Sequence, residues 1–365
     1  MADGLTLVLN VGSSSLKAAL FGPHGGRATH QGAPGGEPDG APGEALDCLW
    51  RSETRLSPGQ DALSSWLEPA LQPWWPHIAR AGHRLVHGGE RFQAPTLVDQ
   101  ERVLLELEAL NRLAPLHNPP ALKALQWLQR RQPALEQWVC FDTAFHATLP
   151  PEASSYALPA AWRAGGRRRY GFHGLSHQQL AEAAASQWRR LGQPGQPRLI
   201  SCHLGAGCSL AAVREGRSID TSMGFTPLEG LVMASRSGSV DPGLLLDLLR
   251  SGVSLEHLEQ GLNRDSGLVG LSGLSGDWLE LKAAGRCGHG GAQLALAVFR
   301  HRLLAGIGAM AASLGGVDLI GLTGGIGARD QELLADLQRS LKWLGPLQWM
   351  QVNADEEGLI ARLIT

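Results

Sequence analysis

Residues Leu5–Leu20, LTLVLNVGSSSLKAAL, decide the fold. An apolar run ends at Asn10, a Gly-Ser turn follows, and a second alternating run passes through Lys17. That pattern reads as strand, loop, strand. Arg198–Arg214, RLISCHLGAGCSLAAVR, has the same form, with a turn expected at Glu215-Gly216. A third Gly-rich loop, Leu322–Arg329 (LTGGIGAR), follows the apolar run Val317–Leu322. Strand–loop–strand units therefore open each half and helices follow. This is a duplicated α/β architecture rather than one doubly wound sheet, and a cleft between the halves is the expected ligand site.

The loops point to a polyphosphate held by backbone N–H groups at tight turns, which glycine permits. Gly205-Ala206-Gly207 lacks the third glycine of a dinucleotide fingerprint and precedes a strand, not a helix. There is no G-x-x-x-x-G-K-[ST] and no G-x-S-x-G, so neither a Walker-type loop nor a serine nucleophile elbow is supported.

The 365 residues suffice for two cores. A net charge of −2 gives no electrostatic case for nucleic acid. The 5 cysteines are scattered with no C-x-x-C pair, which suggests a reduced, cytoplasmic setting. No signal peptide is read at the N-terminus. The uncharged stretch Leu303–Val317 is too short and too Gly-rich to cross a bilayer and reads as a buried helix.

Gly22–Glu44 reads as a loop or insertion, and Leu46–Leu71 should include a helix. Helices are expected at Arg102–Leu113, Pro119–Arg130, Ser176–Arg190, Pro242–Leu249, Leu255–Leu262, Trp278–Ala284 and Gly291–Leu314, with strands at Gly82–Gly89, Gln137–Phe141, Leu199–His203 and Ser209–Val213.

Several residues carry chemistry. Lys17 and the serines Ser13, Ser14 and Ser15 suit phosphate, or are turn and strand residues. Asn10 can reach a hydrated metal through its amide oxygen, or cap the turn. Arg84 and Arg236, on small-residue loops, can clamp an anion in a fork or serve as salt-bridge partners. Asp142, at a strand end, suits a metal water or a base, or caps a helix. His173 and His177 are four apart, but Gly171, Gly174 and Ser176 argue for loop there and against zinc. A histidine near a phosphoryl group is the better reading.

Together these segments resemble the acetate kinase family. LNVGSSSLK (Leu9–Lys17), GHRLVHGGERF (Gly82–Phe92), LAPLHNPP (Leu113–Pro120), FDTAFHATLP (Phe141–Pro150), YGFHGLSH (Tyr170–His177), HLGAG (His203–Gly207), TSMGFTPLEGLVMASRSGSVDPG (Thr221–Gly243) and TGGIG (Thr323–Gly327) occur in the family's order. The resemblance implies a two-domain actin-like fold of the acetate and sugar kinase/Hsp70/actin superfamily. It implies an N-terminal domain 1–147 joined by 357–365, and a C-terminal, nucleotide-binding domain 148–356 that dimerises. The implied reaction is reversible in-line transfer from ATP to acetate with Mg²⁺ or Mn²⁺, in the cytoplasm, by a homodimer that binds neither nucleic acid nor membrane. Arg84, Arg236, His173 and Asp142 would be catalytic. Arg84, Val86, Leu116, His117, Phe172 and Pro227 would bind acetate. Lys17, Ser13, Ser15, His203, Leu204, Gly205, Ala206, Gly207, Asp277, Trp278, Leu279, Gly325, Ile326, Gly327, Ala328 and Arg329 would bind nucleotide. Asn10 and Glu356 would stand at the metal, Glu356 being placed by counting back from Ile360-Ala361-Arg362, with Glu357 the alternative carboxylate.

The chain departs from the family on the nucleotide side. HLGNG becomes HLGAG, GEN after GGI becomes Gly327-Ala328-Arg329, and Asp-Phe-Arg becomes Asp277-Trp278-Leu279. A working kinase with altered nucleotide use is expected. Propionate or another short-chain acid is the alternative substrate, and a non-catalytic descendant the alternative class.

Overall fold

The computed structural model describes residues 4–12, 15–24, 46–56, 61–115 and 117–365. Ser13, Ser14, Leu116 and nearly all of the expected Gly22–Glu44 loop lie outside the described residues. The chain divides into two units, Met1–Ala144 with Asp355–Thr365, and Phe145–Ala354.

The first unit is built on β1 (Leu5–Val11), β2 (Ser15–Pro23), β3 (Leu46–Arg55), β4 (Ile78–Leu85), β5 (Thr96–Leu97) and β6 (Glu136–Phe141), in the order β3-β2-β1-β4-β6-β5. β1, β2 and β3 form an antiparallel meander, which sets Asn10 opposite Lys17. β4 and β6 add in parallel on the other side of β1. Leu7, Leu9, Leu85, Val139 and Phe141 pack with Leu122, Leu125 and Leu128 of the helix Asn118–Arg131. That helix starts on Pro119 and Pro120, where a missing N–H costs nothing. The helix Glu356–Ile364 covers β1 and β4 from the face to which Val8 and Gly82 point. A Cβ on Gly82 would stand 2.6 Å from Ile360 and 2.8 Å from Ile364, so this position needs glycine. The C-terminal segment is thus part of the first unit's packing.

The helix expected within Leu46–Leu71 begins only after strand β3, with helical turns from Leu63. From Trp50 onward, half-buried Trp50, Ser52 and Thr54 alternate with exposed Arg51, Glu53 and Arg55. Polar residues on both faces of this edge strand hid its period of two.

The second unit has β7 (Leu199–Leu204), β8 (Cys208–Arg214), β9 (Arg217–Thr221), β10 (Leu319–Thr323) and β11 (Gln348–Gln351), ordered β11-β10-β7-β8-β9. Again the hairpin and third strand are antiparallel, and two parallel strands add beyond the first. The two sheets repeat one plan, as the recurring Gly loops imply. Glu215 and Gly216 both take positive φ, 51° and 73°, giving the expected tight turn. Short, polar β9 and β11 and the helix Gly267–Ser272 lacked a sequence signal.

The helix Gly290–Leu314 is long and apolar enough to cross a membrane by length and composition alone. It buries Phe299, Leu303, Ile307, Met310 and Leu314 along one stripe and packs against β8 and the helices Gly267–Ser272 and Trp278–Arg286. Arg300 on it pairs with Asp336. It is longer than the uncharged stretch because charged and polar residues of its first half face away from that stripe.

Candidate active site

In the first unit, β1, β4 and β6 run in parallel, so Asn10, Arg84 and Asp142 emerge near one another at their carboxyl ends. Arg84 is the penultimate residue of strand β4 rather than lying on a loop. Its guanidinium grips Asp142 as a fork, Nε to Oδ1 at 2.8 Å and Nη2 to Oδ2 at 2.5 Å. Its Nη1 donates to Asn10 Oδ1 at 3.0 Å, and Glu356 lies 3.5 Å from Nε. Asn10 Nδ2 donates to Glu356 Oε2 at 3.1 Å and Glu357 Oε1 at 2.6 Å. Both glutamates sit in the first helical turn after Asp355, where the helix dipole favours anions. Asp142 is no helix cap: both of its oxygens serve Arg84. Burial pushes its carboxyl up to about 6, against the pull of Arg84. Burial opposes the charge on Arg84, but Asp142 and Glu356 outweigh it and hold its pKa above the usual range.

Around this cluster, Val86 is buried and follows β4 directly. Asn118 clamps the next residue, accepting from His87 N at 3.2 Å and donating to His87 O at 3.1 Å. His117 precedes the helix Asn118–Arg131. Lys17 is solvent-exposed on β2, and Ser15 O accepts from Gly12 N at 2.8 Å across the hairpin turn.

The metal implied by the resemblance can be tested against these side chains. The donors are all oxygen, and three carboxylates against one guanidinium leave an excess of two negative charges. Among the described residues, no group of three His, Cys, Asp or Glu side chains is gathered to hold an ion directly. The set fits a hard divalent ion held largely through its waters.

In the second unit, β7 and β8 carry the Gly205–Gly207 turn. Gly205 N donates to Gly207 O at 3.0 Å, and Ala206 O accepts from Ala234 N at 3.0 Å. A Cβ placed on Gly207 would meet Arg236 Nη2 at 2.8 Å and His173 Nε2 at 3.0 Å. A guanidinium and an imidazole therefore converge above one glycine. Arg236 is fixed by donating from Nη1 to Pro227 O at 2.6 Å, and burial lowers its pKa from the usual value. His173 stands in left-handed backbone (φ 55°) just before the helix Gly174–Arg190, so Gly174 and Ser176 are helical rather than loop. His203 stacks on it with ring centroids 4.2 Å apart. Phe172 is wholly buried, and its carbonyl accepts from His146 Nε2 at 3.0 Å.

The Gly324–Gly327 turn approaches the same loop. A Cβ on Gly205 would lie 3.7 Å from Gly325 N, and left-handed Gly324 abuts Leu204 O. Ala206, Gly325 and Arg329 are exposed. Asp277 caps the helix Trp278–Arg286 by accepting from Glu280 N at 2.9 Å. Trp278 packs on Phe299 and donates to Asp330 Oδ2 at 2.5 Å, while Leu279 is 73% exposed. Of these three, Asp277 and Leu279 are exposed and Trp278 is half-buried.

Sequence reasoning left Glu356 or Glu357 open at the metal, and missed Ser201, Ser209 and the clasp in which Glu229 takes Tyr156 and Arg169 at 2.5 and 2.6 Å. Ser209 had one available signal: in the hairpin register it lies opposite His203.

The Acetokinase family profile matches residues 61–361. Acetate kinase of Synechococcus sp. (strain JA-2-3B'a(2-13)) is 46% identical over 93% of this chain and 87% of its own. Acetate kinase of Deinococcus radiodurans is 47% identical over 96% and 88%. Among solved structures, a propionate kinase from Francisella tularensis superposes with TM-score 0.83 at 29% identity, covering 99% of this chain and 98% of that one. Porphyromonas gingivalis acetate kinase gives 0.81 at 31% identity, covering 98% of each. With matching motifs, a matching repeated α/β plan and relatives aligned along most of its length, this chain belongs to the acetokinase family.

Proposed function

We propose that the protein is an acetate kinase, moving the γ-phosphoryl group of ATP directly onto acetate to give acetyl phosphate and ADP, reversibly. The observation that carries this reading is the convergence of Arg236 Nη2 and His173 Nε2 above Gly207. Acetate is ionised at neutral pH and needs no general base. The protein's task is to position the reactants and stabilise charge on the transferring group. Arg236 and His173 donate to the phosphoryl oxygens. Arg84 orients the acetate carboxylate, with Val86, His117, Phe172 and Pro227 bounding its methyl group. Asp142 holds Arg84 in its fork and, with Asn10 and Glu356 or Glu357, would hold Mg²⁺ or Mn²⁺ through its waters, an ion that would neutralise phosphate charge. The turns at Gly205–Gly207 and Gly325–Arg329 line the nucleotide, with Lys17 and Ser15 near its phosphates and Asp277–Leu279 at its base.

We assign the nucleotide and self-association roles to the second unit. Leu244, Leu246, Leu249 and Leu255 are between 40% and 66% exposed there, which suits a homodimer contact. ATP chemistry and unpaired cysteines fit the cytoplasm. Propionate is the second substrate reading, favoured by the likeness to a propionate kinase. One methylene is worth only ~1–3 kcal/mol, so kcat/KM for the two acids decides it. Trapping acyl phosphate as hydroxamate from acetate and MgATP tests the main reading. Folded protein that forms none contradicts it.

A further inference from the structure

The second unit buries a chain of alternating serines and histidines behind His173. His173 Nδ1 lies 2.9 Å from Ser209 Oγ, and the same hydroxyl lies 2.8 Å from His177 Nε2. His177 Nδ1 lies 2.7 Å from Ser201 Oγ. Ser201, Ser209 and His177 are wholly buried. His177 sits one helical turn after His173, so both rings face the same strands. Next to them His146 lies edge-on to His177, at 5.5 Å between centroids. Its tautomer is set by backbone: Nε2 must donate to the Phe172 carbonyl, so Nδ1 accepts from Ser218 Oγ at 2.8 Å. Arg236 stands on the Nε2 side of His173, and His203 stacks on its face.

We propose that Ser209, backed by His177 and Ser201, is a positioning residue that keeps a proton on Nε2 of His173, the atom beside Arg236 above Gly207. The inference rests on the proposed role of His173 as a donor to the phosphoryl group. His177 is neutral, because burial first and its histidine neighbours second hold its pKa well below the usual value. One of its nitrogens donates and the other accepts. Ser209 has one hydroxyl proton to place between two rings. When His173 is neutral, Ser201 donates to His177 Nδ1, His177 Nε2 donates to Ser209, and Ser209 donates to His173 Nδ1. The proton of His173 is then on Nε2. When His173 is protonated, each bond reverses: Nδ1 donates to Ser209, Ser209 to His177 Nε2, and His177 Nδ1 to Ser201. The reversed chain would equally pair a neutral His173 that carries its proton on Nδ1, but it leaves the buried Ser201 hydroxyl with no acceptor among the described residues, so the neutral ring keeps its proton on Nε2, and the charged ring carries one there as well. No proton leaves the chain in either arrangement. An alanine at 209 removes this adaptation and leaves two ring nitrogens facing a methyl group, where unmade hydrogen bonds are costly.

The test is ¹⁵N-histidine NMR of the full-length protein, whose ring couplings report the tautomer, with His173 assigned by His173→Gln. Kinetics are read in parallel for Ser209→Ala and for Ser218→Ala, which removes an equivalent bond from His146 nearby. The expected result is one Nε2–H tautomer in the native protein and a mixture in Ser209→Ala. That variant loses kcat by about 10-fold, the weight of one hydrogen bond, with KM for acetate and ATP nearly unchanged and the pH profile displaced. Ser218→Ala loses stability but keeps kcat. Should Ser209→Ala not fold, Ser201→Ala, which removes the far end of the chain, is read in the same way. An unchanged His173 tautomer, an unchanged kcat, or equal kcat losses in the two serine variants overturns the proposal. Full activity in His173→Gln instead overturns the catalytic role of His173, and the tautomer measurement still stands by itself.

Discussion

Gly207→Ala separates geometry from stability at the centre of the site. The added methyl would stand 2.8 Å from Arg236 Nη2 and 3.0 Å from His173 Nε2, where ordinary contact starts at 3.4 Å. The two groups must therefore retreat by 0.6 Å (3.4 − 2.8) and 0.4 Å (3.4 − 3.0). Neither can do so freely. Arg236 is tied at Nη1 to Pro227 O, and His173 is tied to Ser209 and stacked on His203. A misplacement of ~1 Å costs about 100-fold in rate, so half of that costs about 10-fold, or ~1.4 kcal/mol of barrier. The backbone of Gly207 is not left-handed, so alanine fits it without strain. The narrower unfolded ensemble contributes about 0.4–1 kcal/mol and offsets part of a clash worth about 1–3 kcal/mol, so the net loss of stability should stay near or below about 2 kcal/mol and leave the variant folded. Steady-state kinetics by hydroxamate trapping, with urea melts on the same samples, measure both. A variant with native turnover refutes the placement of Arg236 and His173 on the reacting group. A variant that loses turnover only through unfolding refutes the geometric argument.

Other expectations follow from the same contacts. Asp142→Asn unties the Arg84 fork and should lower kcat by about 10²–10³-fold, by analogy with the loss of one transition-state donor. Because the native site needs the Asp142 carboxylate, whose pKa burial raises to about 6, kcat/KM should fall as pH drops below about 6. Burial holds His83 and His146 near 4 and His177 lower still, while the unfolded imidazoles titrate near ~6.5. The unfolded chain thus binds more protons between those values, so stability present above pH 6.5 is lost as pH falls towards 4. His83 and His146 should contribute roughly 3 kcal/mol each to that loss, read as a falling urea midpoint. Leu246→Glu with Leu255→Glu should convert a dimer to a monomer by light scattering, and an unchanged mass removes those leucines from the interface.

Much of the site was legible because it is local in sequence. LNVGSSSLK, GHRLVHGG and FDTAFH each end a strand, and parallel pairing carries Asn10, Arg84 and Asp142 to one edge. The repeated sheet plan was legible from the recurring hairpins for the same reason. What escaped notice depends on residues far apart in the chain. The sequence left open whether Glu356 or Glu357 faces the site, because the contact with Asn10, 2.6 Å from Glu357, spans 347 positions. Ser209 looks like any small residue on a buried strand until His173 and His177 arrive from another helix. Trp278 falls where the resemblance implies nucleotide contacts, yet Phe299 and Asp330 occupy its ring and its N–H. β3 escaped because an edge strand exposes polar side chains that blur its alternation.

A double-mutant cycle on Arg84 and Arg236 tests the central claim, that both guanidinium groups serve one phosphoryl transfer. The rate of acetyl phosphate formation from acetate and MgATP is measured for Arg84→Ala, Arg236→Ala and the double variant. Large single losses are expected, with a double loss well short of their product, because Arg84 on the acetate carboxylate and Arg236 on the phosphoryl group act on one transition state. Independent multiplication of the two losses, or single variants that keep native rates, contradicts it.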